Sequence, residues 1–390
     1  MKIGYAYWGY LGDVKYNEKG EVVSTPDGNA FYSWSIIHSL IIRGNEVWQM
    51  MPNRDRYCLN VKENFSGMGF DEDVNPRYVS YINMKKYLYN DISDWSEVSE
   101  KQLYKIWDKN GINKLDAILL EWRMEVPGRN TMDARGNDNW QPDLFIQDAI
   151  IRYCGKNKIK LLIFDLDYKL STRALSDMVE ANGVDYYILE LGYKWKGLRA
   201  KHVEIPFDFN YIDNYPICDS FKNLVYVGNR YERDKYIDKY IPTDLDGVDI
   251  YGNWLEGGRD SAERWPDINF HERIGIRKMR NVYSRSACTI LLAKDEYLKN
   301  GFMTARIIES IFYGTIPLFI EEYGKEIINK YAGIFDEDLT VRSKEDVVRK
   351  CKHYSENKWE RLIVIKYLRE RLQFMDVSNF TNILERVVEK

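Results

Sequence analysis

The chain has 390 residues, 45% of them hydrophobic and 30% charged, and a net charge of −4. That length suits two domains of ordinary size. The charge excludes a protein coated in basic residues, while leaving DNA open as a substrate through local lysine and arginine clusters. The five Cys and four His are dispersed, with no CxxC pairing, so we expect reduced thiols in a cytoplasmic protein and no zinc site. The N-terminal run 1–7 is too short and too polar beyond Tyr7 for a signal peptide, and no apolar run reaches the length a bilayer needs, so no membrane partner is expected.

In chain order, short apolar runs alternate with helical patterns, the mark of an α/β protein with parallel sheets. Strands are predicted at 2–7, 46–51, 117–120, 160–164 and 186–191. An amphipathic helix over about 30–43, closed by Gly44, lies between the first two and completes a βαβ unit. The span 54–114 reads as a long polar insertion with a helix near 100–109, and a helix over 142–154 leads into the strand at 160. After Pro206 a second series follows, with strands at 223–227, 248–251, 289–293 and 316–320. Helices over 233–240, 274–285 and 305–313 separate them. The segment 201–220 carries two Pro and reads as an interdomain linker; the basic run 194–202 reads as a solvated loop. From about 344 the chain is helical, with Trp359, Leu362, Ile363, Ile365, Leu368 and Leu372 on one apolar face.

The expected architecture is therefore two Rossmann-like halves facing across a cleft: a first domain over 1–205, a second over 206–355, and C-terminal helices over 356–390 packing back on the first. Ligands of open α/β sheets bind at the carboxyl ends of the strands, which places the site in that cleft.

Four constellations point there. In the helix after Gly301, Arg306 and Glu309 stand three residues apart on one face, so that a cation and a carboxylate can grip phosphate oxygens and a pair of sugar hydroxyls of one ligand. The plain alternative is an intrahelical ion pair in solvent. At the end of the strand 223–227, Gly228-Asn229-Arg230 and Arg233 offer close backbone approach, a helix N-terminus and two guanidinium forks for a diphosphate. The alternative is an ordinary turn with surface arginines. Tyr251-Gly252-Asn253-Trp254 repeats the strand-glycine pattern and can present backbone to a nucleobase edge beside an aromatic ring.

The fourth, Phe164-Asp165-Leu166-Asp167, ends a strand in two carboxylates. A metal-holding DxD reading is disfavoured, because the arginines already neutralise a diphosphate. Asp165 is preferred as a general base toward an acceptor hydroxyl, with Asp167 as second choice. The alternative is a strand-end Asp capping the next helix. Glu121 and Arg123, with Arg129, and the loop bearing Asp27 and Asn29 are expected on the rim of the sugar or acceptor pocket.

Taken in order, the pieces of the second half resemble those of the β-glucosyltransferases of T-even-type bacteriophages, which glucosylate hydroxymethylated cytosine in phage DNA. The pieces are Tyr226, Gly228, Arg230 and Arg233; Tyr251-Gly252-Asn253; the run 286–293; Asn300-Gly301-Phe302-Met303-Thr304-Ala305-Arg306 with Glu309; and Pro317 to Glu322. In the first half the match is thinner: Met1-Lys2-Ile3, the helix exit Gly44-Asn45-Glu46-Val47 and Phe164-Asp165.

The resemblance implies a GT-B fold, a UDP-glucose donor and an inverting transfer. In it Arg306 and the arginines after Gly228 hold the diphosphate, Glu309 the ribose hydroxyls, and the backbone near Gly252 the uracil, while Asp165 sits where the family keeps its base. The family's glutamate near the start of the first helix has no obvious counterpart, which leaves Asp27 or Asn29 to serve.

The function expected is transfer of a sugar, glucose by family default, from a UDP-sugar to the hydroxymethyl group of a modified pyrimidine in double-stranded phage DNA, by a monomer in the host cytoplasm. No metal site is expected, a divalent cation being stimulatory at most. The competing expectations are a transferase acting on a polysaccharide, lipid or protein, and a nucleotide- or DNA-binding module without catalysis.

Overall fold

The computed structural model describes residues 1–7, 15–16, 22–24, 28–51, 88–89, 91–137, 140–192, 194–195, 197, 199–209, 218, 222–243, 245–254, 261–272, 274 and 276–389. The side chains of 15–16, 22–24, 28–31, 34 and 276–278 are outside the description.

The first strand, Lys2–Ala6 (β1), is followed by a short antiparallel hairpin, Lys15–Tyr16 (β2) and Val22–Ser24 (β3), and by helix α1, Gly28–Ile42. Then come Glu46–Gln49 (β4), helix α2 (Glu100–Lys109), Ala117–Glu121 (β5), helix α3 (Asp143–Asn157), Lys160–Asp165 (β6), Tyr186–Glu190 (β7) and Ala200–His202 (β8). These strands form a six-stranded sheet in the order β4-β1-β5-β6-β7-β8, parallel throughout. β5 and β6 are apolar runs covered on both faces, as strands sandwiched between helices require.

The second half repeats the plan. Its strands are Lys222–Val227 (β9), Val248–Tyr251 (β10), Asn269–His271 (β11), Ser286–Leu291 (β12), Ile316–Ile320 (β13) and Thr340–Val341 (β14). They lie in the order β11-β10-β9-β12-β13-β14, again all parallel. Helices α4 (Asp234–Tyr240), α5 (Ile276–Ser284), α6 (Asp295–Lys299), α7 (Ala305–Phe312), α8 (Glu321–Lys330) and α9 (Lys344–Glu356) connect and cover them. In each sheet the order reverses beside the first strand, β1 or β9, and a crevice opens at such a reversal beyond the carboxyl ends.

Two expectations are corrected. Residues 201–202, placed in a linker, belong to the edge strand β8, and β11, β14 and the hairpin were not expected at all. All are two or three residues long and lack the apolar alternation that marks a longer strand. The return to the first domain also begins later than residue 356. Helix α10 (Lys358–Arg371) still packs on α7 of the second domain, with Arg369 Nε donating to the Ile311 carbonyl at 3.1 Å. Only the last helix, α11 (Val377–Val388), lies against α1, where Ser39 and Thr381 share a hydrogen bond at 3.0 Å and Arg43 pairs with Glu385. Within the expected insertion, residues 54–87 and 90 lie outside the described residues, and α2 falls at its expected place.

The passages between the halves run side by side. Phe207 N donates to the Met375 carbonyl at 3.2 Å, and Val377 N to the Phe207 carbonyl at 2.6 Å. Phe209 N reaches the Asp376 carboxylate at 3.3 Å, and His38 on α1 meets Asp208 at 2.8 Å. One apolar cluster runs from the α1 face of the first sheet through Phe207 into the second domain; another fills the opposite face of the first sheet under α2 and α3.

Candidate active site

On the second domain the site is built around a pinch between two glycines. Gly228, at the end of β9, donates its N–H to the Tyr251 carbonyl at 2.8 Å. Gly252 sits at φ +149°, and a Cβ there would lie 2.3 Å from the Gly228 carbonyl oxygen, so neither the angle nor the space admits a side chain. A Cβ on Gly228 would meet the Tyr226 hydroxyl at 2.5 Å and the Arg306 guanidinium carbon at 2.9 Å. Cross-bonds fix the two turns: Arg230 N to Asn253 Oδ1 at 2.9 Å, Asn253 N to Asn229 Oδ1 at 3.3 Å, and Trp254 Nε1 to the Gly228 carbonyl at 2.7 Å. The Gly252 N–H is itself donated to the His271 carbonyl at 3.2 Å, and the Tyr251 and His271 rings stack at 4.4 Å.

Arg306 lies in the first turn of α7, whose N-cap residue Thr304 makes no side-chain cap. Unoccupied N–H groups at a helix N-terminus attract an anion. The Arg306 guanidinium lies 5.8 Å from the centre of the Tyr226 ring, and the buried Tyr226 hydroxyl has no hydrogen-bond partner. Burial works against the Arg306 charge, but Tyr226, Tyr283, Glu309 and Tyr32 around it outweigh that and leave it above its ordinary value. Neither Arg306 nor Glu309 has an oppositely charged atom within 4 Å among the described residues, and the two do not pair with each other. Glu309, half-buried on the same face, is pushed up to about 7 by burial, which the Arg306 charge opposes.

The two arginines of the β9 turn separate. Arg233 is 3% exposed, held by the Asn229 carbonyl at 2.5 Å and the Leu292 carbonyl at 3.3 Å. Burial pushes its basicity down, and Arg306 adds to the effect. It has no carboxylate partner among the described residues. Arg230 instead forms a two-point pair with Asp234 at 2.8 and 2.6 Å and lies against Trp265.

On the first domain, carboxylates end three adjacent strands: Glu121 on β5, Asp165 on β6 and Glu190 on β7, all buried. Each is engaged locally. Glu121 accepts hydrogen bonds from Tyr5 and, at 3.1 Å, from Ser33, tying β1 and α1 to β5. Asp165 accepts the Lys169 N–H at 2.8 Å on one oxygen and the Leu170 N–H at 3.0 Å on the other. Burial pushes its pKa up, and those two amides and Lys194 pull it back. Glu190 caps the next loop through the amides of Lys194 and Trp195, and burial raises it likewise.

Asp167 differs. Half-buried at the crest of the same turn, it accepts a hydrogen bond from Tyr297 of the second domain at 3.2 Å. Beside it, Lys169 pairs across the cleft with Glu296 at 3.1 Å. The buried Tyr32 hydroxyl of α1 is raised by burial first, then by Glu309 and Asp167 against the opposing pull of Arg306. Tyr32 and Tyr297 thus border the candidate site without having been singled out in the sequence, whereas Tyr226 stood among the pieces of the β9 turn.

The remaining rim candidates fare unevenly. Arg123 is a core residue: it pairs with Asp143 at 3.2 Å, both side chains almost wholly buried, and its backbone exchanges bonds with Gln147. Glu121 and Arg123 are thus both buried and bonded within the first domain. Asp27 and the side chain of Asn29 lie outside the described residues. Among the described residues no three His, Cys, Asp or Glu side chains converge on a point that could hold a metal ion, and no helix is long and apolar enough to cross a membrane.

The sequence matches no family model and no curated protein. Solved structures do match over the full length. T4 phage β-glucosyltransferase in complex with UDP and Mn2+ superimposes with a TM-score of 0.60 at 13% identity, covering 100% of each chain. An α-glucosyltransferase in complex with UDP-glucose and DNA containing an abasic site gives 0.56 at 12%, covering 100% of this chain and 99% of its own. The Anabaena protein HepE in complex with UDP-glucose gives 0.57 at 11%, with the same coverage. The chain has the two-domain GT-B fold that these UDP- and UDP-glucose-bound proteins adopt.

Proposed function

We propose that the chain is a UDP-sugar-dependent glycosyltransferase that moves a sugar, glucose in the first instance, to the hydroxymethyl group of a modified pyrimidine in double-stranded DNA. The observation that carries this reading is the pair Arg306 and Glu309, a cation and a carboxylate one turn apart, at an uncapped helix N-terminus and without opposite charges of their own. A nucleoside diphosphate supplies what both lack. Arg306, Arg233 and the α7 amides take the diphosphate, and Glu309 accepts the ribose hydroxyls. Tyr251 and the Gly228–Gly252 pinch set the place of the base.

Asp167 is the general base in this reading. It faces the second domain across the cleft, whereas both oxygens of Asp165 are occupied by backbone amides. The acceptor hydroxyl oxygen attacks the anomeric carbon as its proton passes to the Asp167 carboxylate. The bond from that carbon to the β-phosphate oxygen breaks, its electron pair leaving with UDP beside Arg306. One displacement inverts the anomeric centre.

Support for a nucleic-acid acceptor comes from the DNA named with two of the structural neighbours. The test is mass spectrometry of nucleosides from hydroxymethylated duplex DNA incubated with the protein and a panel of UDP-sugars. A hexosylated hydroxymethylpyrimidine is expected. Release of UDP with no modified nucleoside would move the acceptor to another class of molecule, and absence of both would overturn the enzymatic reading.

A further inference from the structure

We infer that Tyr168 is a positioning residue: lodged in a notch left by Gly192, it holds the turn after β6 in the shape that presents Asp167 to the second domain. The inference builds on Asp167 as the base.

Three observations converge on this turn. Tyr168 has φ +61°, in the left-handed region that a bulky side chain adopts only when its surroundings impose it. The imposing contacts lie on both sides. Within the turn, Asp165 binds the amides of Lys169 and Leu170, closing the chain tightly around residues 166–168. From the neighbouring loop, Gly192 leaves the space the ring occupies: a Cβ there would stand 2.3 Å from Tyr168 Cε2 and 3.0 Å from Cζ.

Lys194 completes the clasp. Its ammonium donates to the Leu170 carbonyl at 2.5 Å and lies 5.1 Å from the centre of the Tyr168 ring. Its own N–H is anchored on Glu190 at 2.9 Å. The loops after β6 and β7 are thereby fastened at two points, and Asp167 is the residue left at the crest, in contact with Tyr297. A base must sit within hydrogen-bond reach of the hydroxyl it serves, and a displacement on the order of 1 Å costs as much as a hundredfold in rate.

The test is a Gly192→Ala variant, whose backbone is not in the left-handed region, so that alanine is tolerated while its methyl displaces the ring. We expect kcat to fall about 10- to 100-fold, with the KM for UDP-sugar, the Kd for UDP and the thermal midpoint unchanged. Tyr168→Gly, which relaxes the backbone and removes the ring, should show the same split, and Tyr168→Phe should restore kcat.

Native kcat in Gly192→Ala and Tyr168→Gly overturns the inference. So does a parallel loss of UDP affinity and thermal midpoint, the mark of a merely structural role. Asp167→Asn separates the two levels. Native turnover in that variant refutes the base assignment itself, whereas an inactive Asp167→Asn beside a fully active Gly192→Ala refutes only the positioning.

Discussion

Tyr297 and Asp167 meet across the domain boundary, the phenol donating to the carboxylate at 3.2 Å. Tyr297 stands on α6, which leads to Gly301 and the diphosphate end of α7; Asp167 stands at the end of a central strand of the other sheet. Burial and the Asp167 charge both raise the Tyr297 phenol, which therefore remains a donor through the neutral range. One contact thus joins the two sides between which a donor sugar and an acceptor hydroxyl would meet.

The two aspartates of the motif should separate cleanly under mutation. Asp167→Asn is expected to abolish transfer while leaving UDP binding intact. Asp165→Asn should instead lower stability by about 1–3 kcal/mol, because one of two buried amides loses its acceptor, and reduce turnover without abolishing it, because the turn that carries Asp167 loosens. Turnover assays paired with denaturant melts decide this; a stable but inactive Asp165→Asn beside an active Asp167→Asn would reverse the assignment.

Among the arginines, the order of effect on UDP affinity should be Arg306 and Arg233 well above Arg230. Arg306→Ala is expected to weaken binding by about 1.5–3 kcal/mol, the worth of a hydrogen bond to a charged group. Arg230→Ala should change it little, since Asp234 already holds that side chain. Gly228→Ala should weaken UDP as well, its methyl falling 2.9 Å from the Arg306 guanidinium carbon. Calorimetric titration of UDP ranks all three.

Glu309 makes a pH prediction. Its folded value of about 7 lies above the ordinary 4.5, so the folded chain retains a proton that the unfolded chain has released. Its contribution to stability is greatest below 4.5, declines as pH rises toward 7 and levels above. UDP affinity should run the other way, improving as the carboxylate ionises to receive the ribose hydroxyls. Titrations at about pH 6 and about pH 8 measure the slope. Glu309→Gln should flatten it, and equal affinity for native protein at both values contradicts the role.

Arg123→Ala should act on stability and not on ligand. Breaking its pair leaves Asp143 charged and buried, a cost of about 3–5 kcal/mol in related cases. Urea denaturation reads the loss. Weakened UDP binding in the surviving folded protein would return Arg123 to the rim.

Much of this architecture was legible in the sequence because long, buried strands announce themselves. β5, β6 and β13 are apolar runs bounded by polar turns, and Gly44 and Gly314 mark helix exits. The candidate site could be read from the sequence where it depends on local spacing, as with Arg306 and Glu309 on one helix. It was not legible where a side chain's occupation is decided by a distant partner. The run Asp165-Leu166-Asp167 leaves open whether the first carboxylate caps the chain that follows or stands free in the cleft. Arg123 reads as a loop cation until Asp143 on α3 is seen beneath it. Tyr32 and Tyr297 join the site only because two domains face each other, which no local pattern encodes.

The paired passages at Phe207 and Asp376 constrain how the halves can move. Two polypeptide crossings bonded to each other within a few residues behave as one axle. A relative motion of the halves is expected to turn about that line and to part Tyr297 from Asp167 and Lys169 from Glu296. A probe pair placed across those contacts would register it.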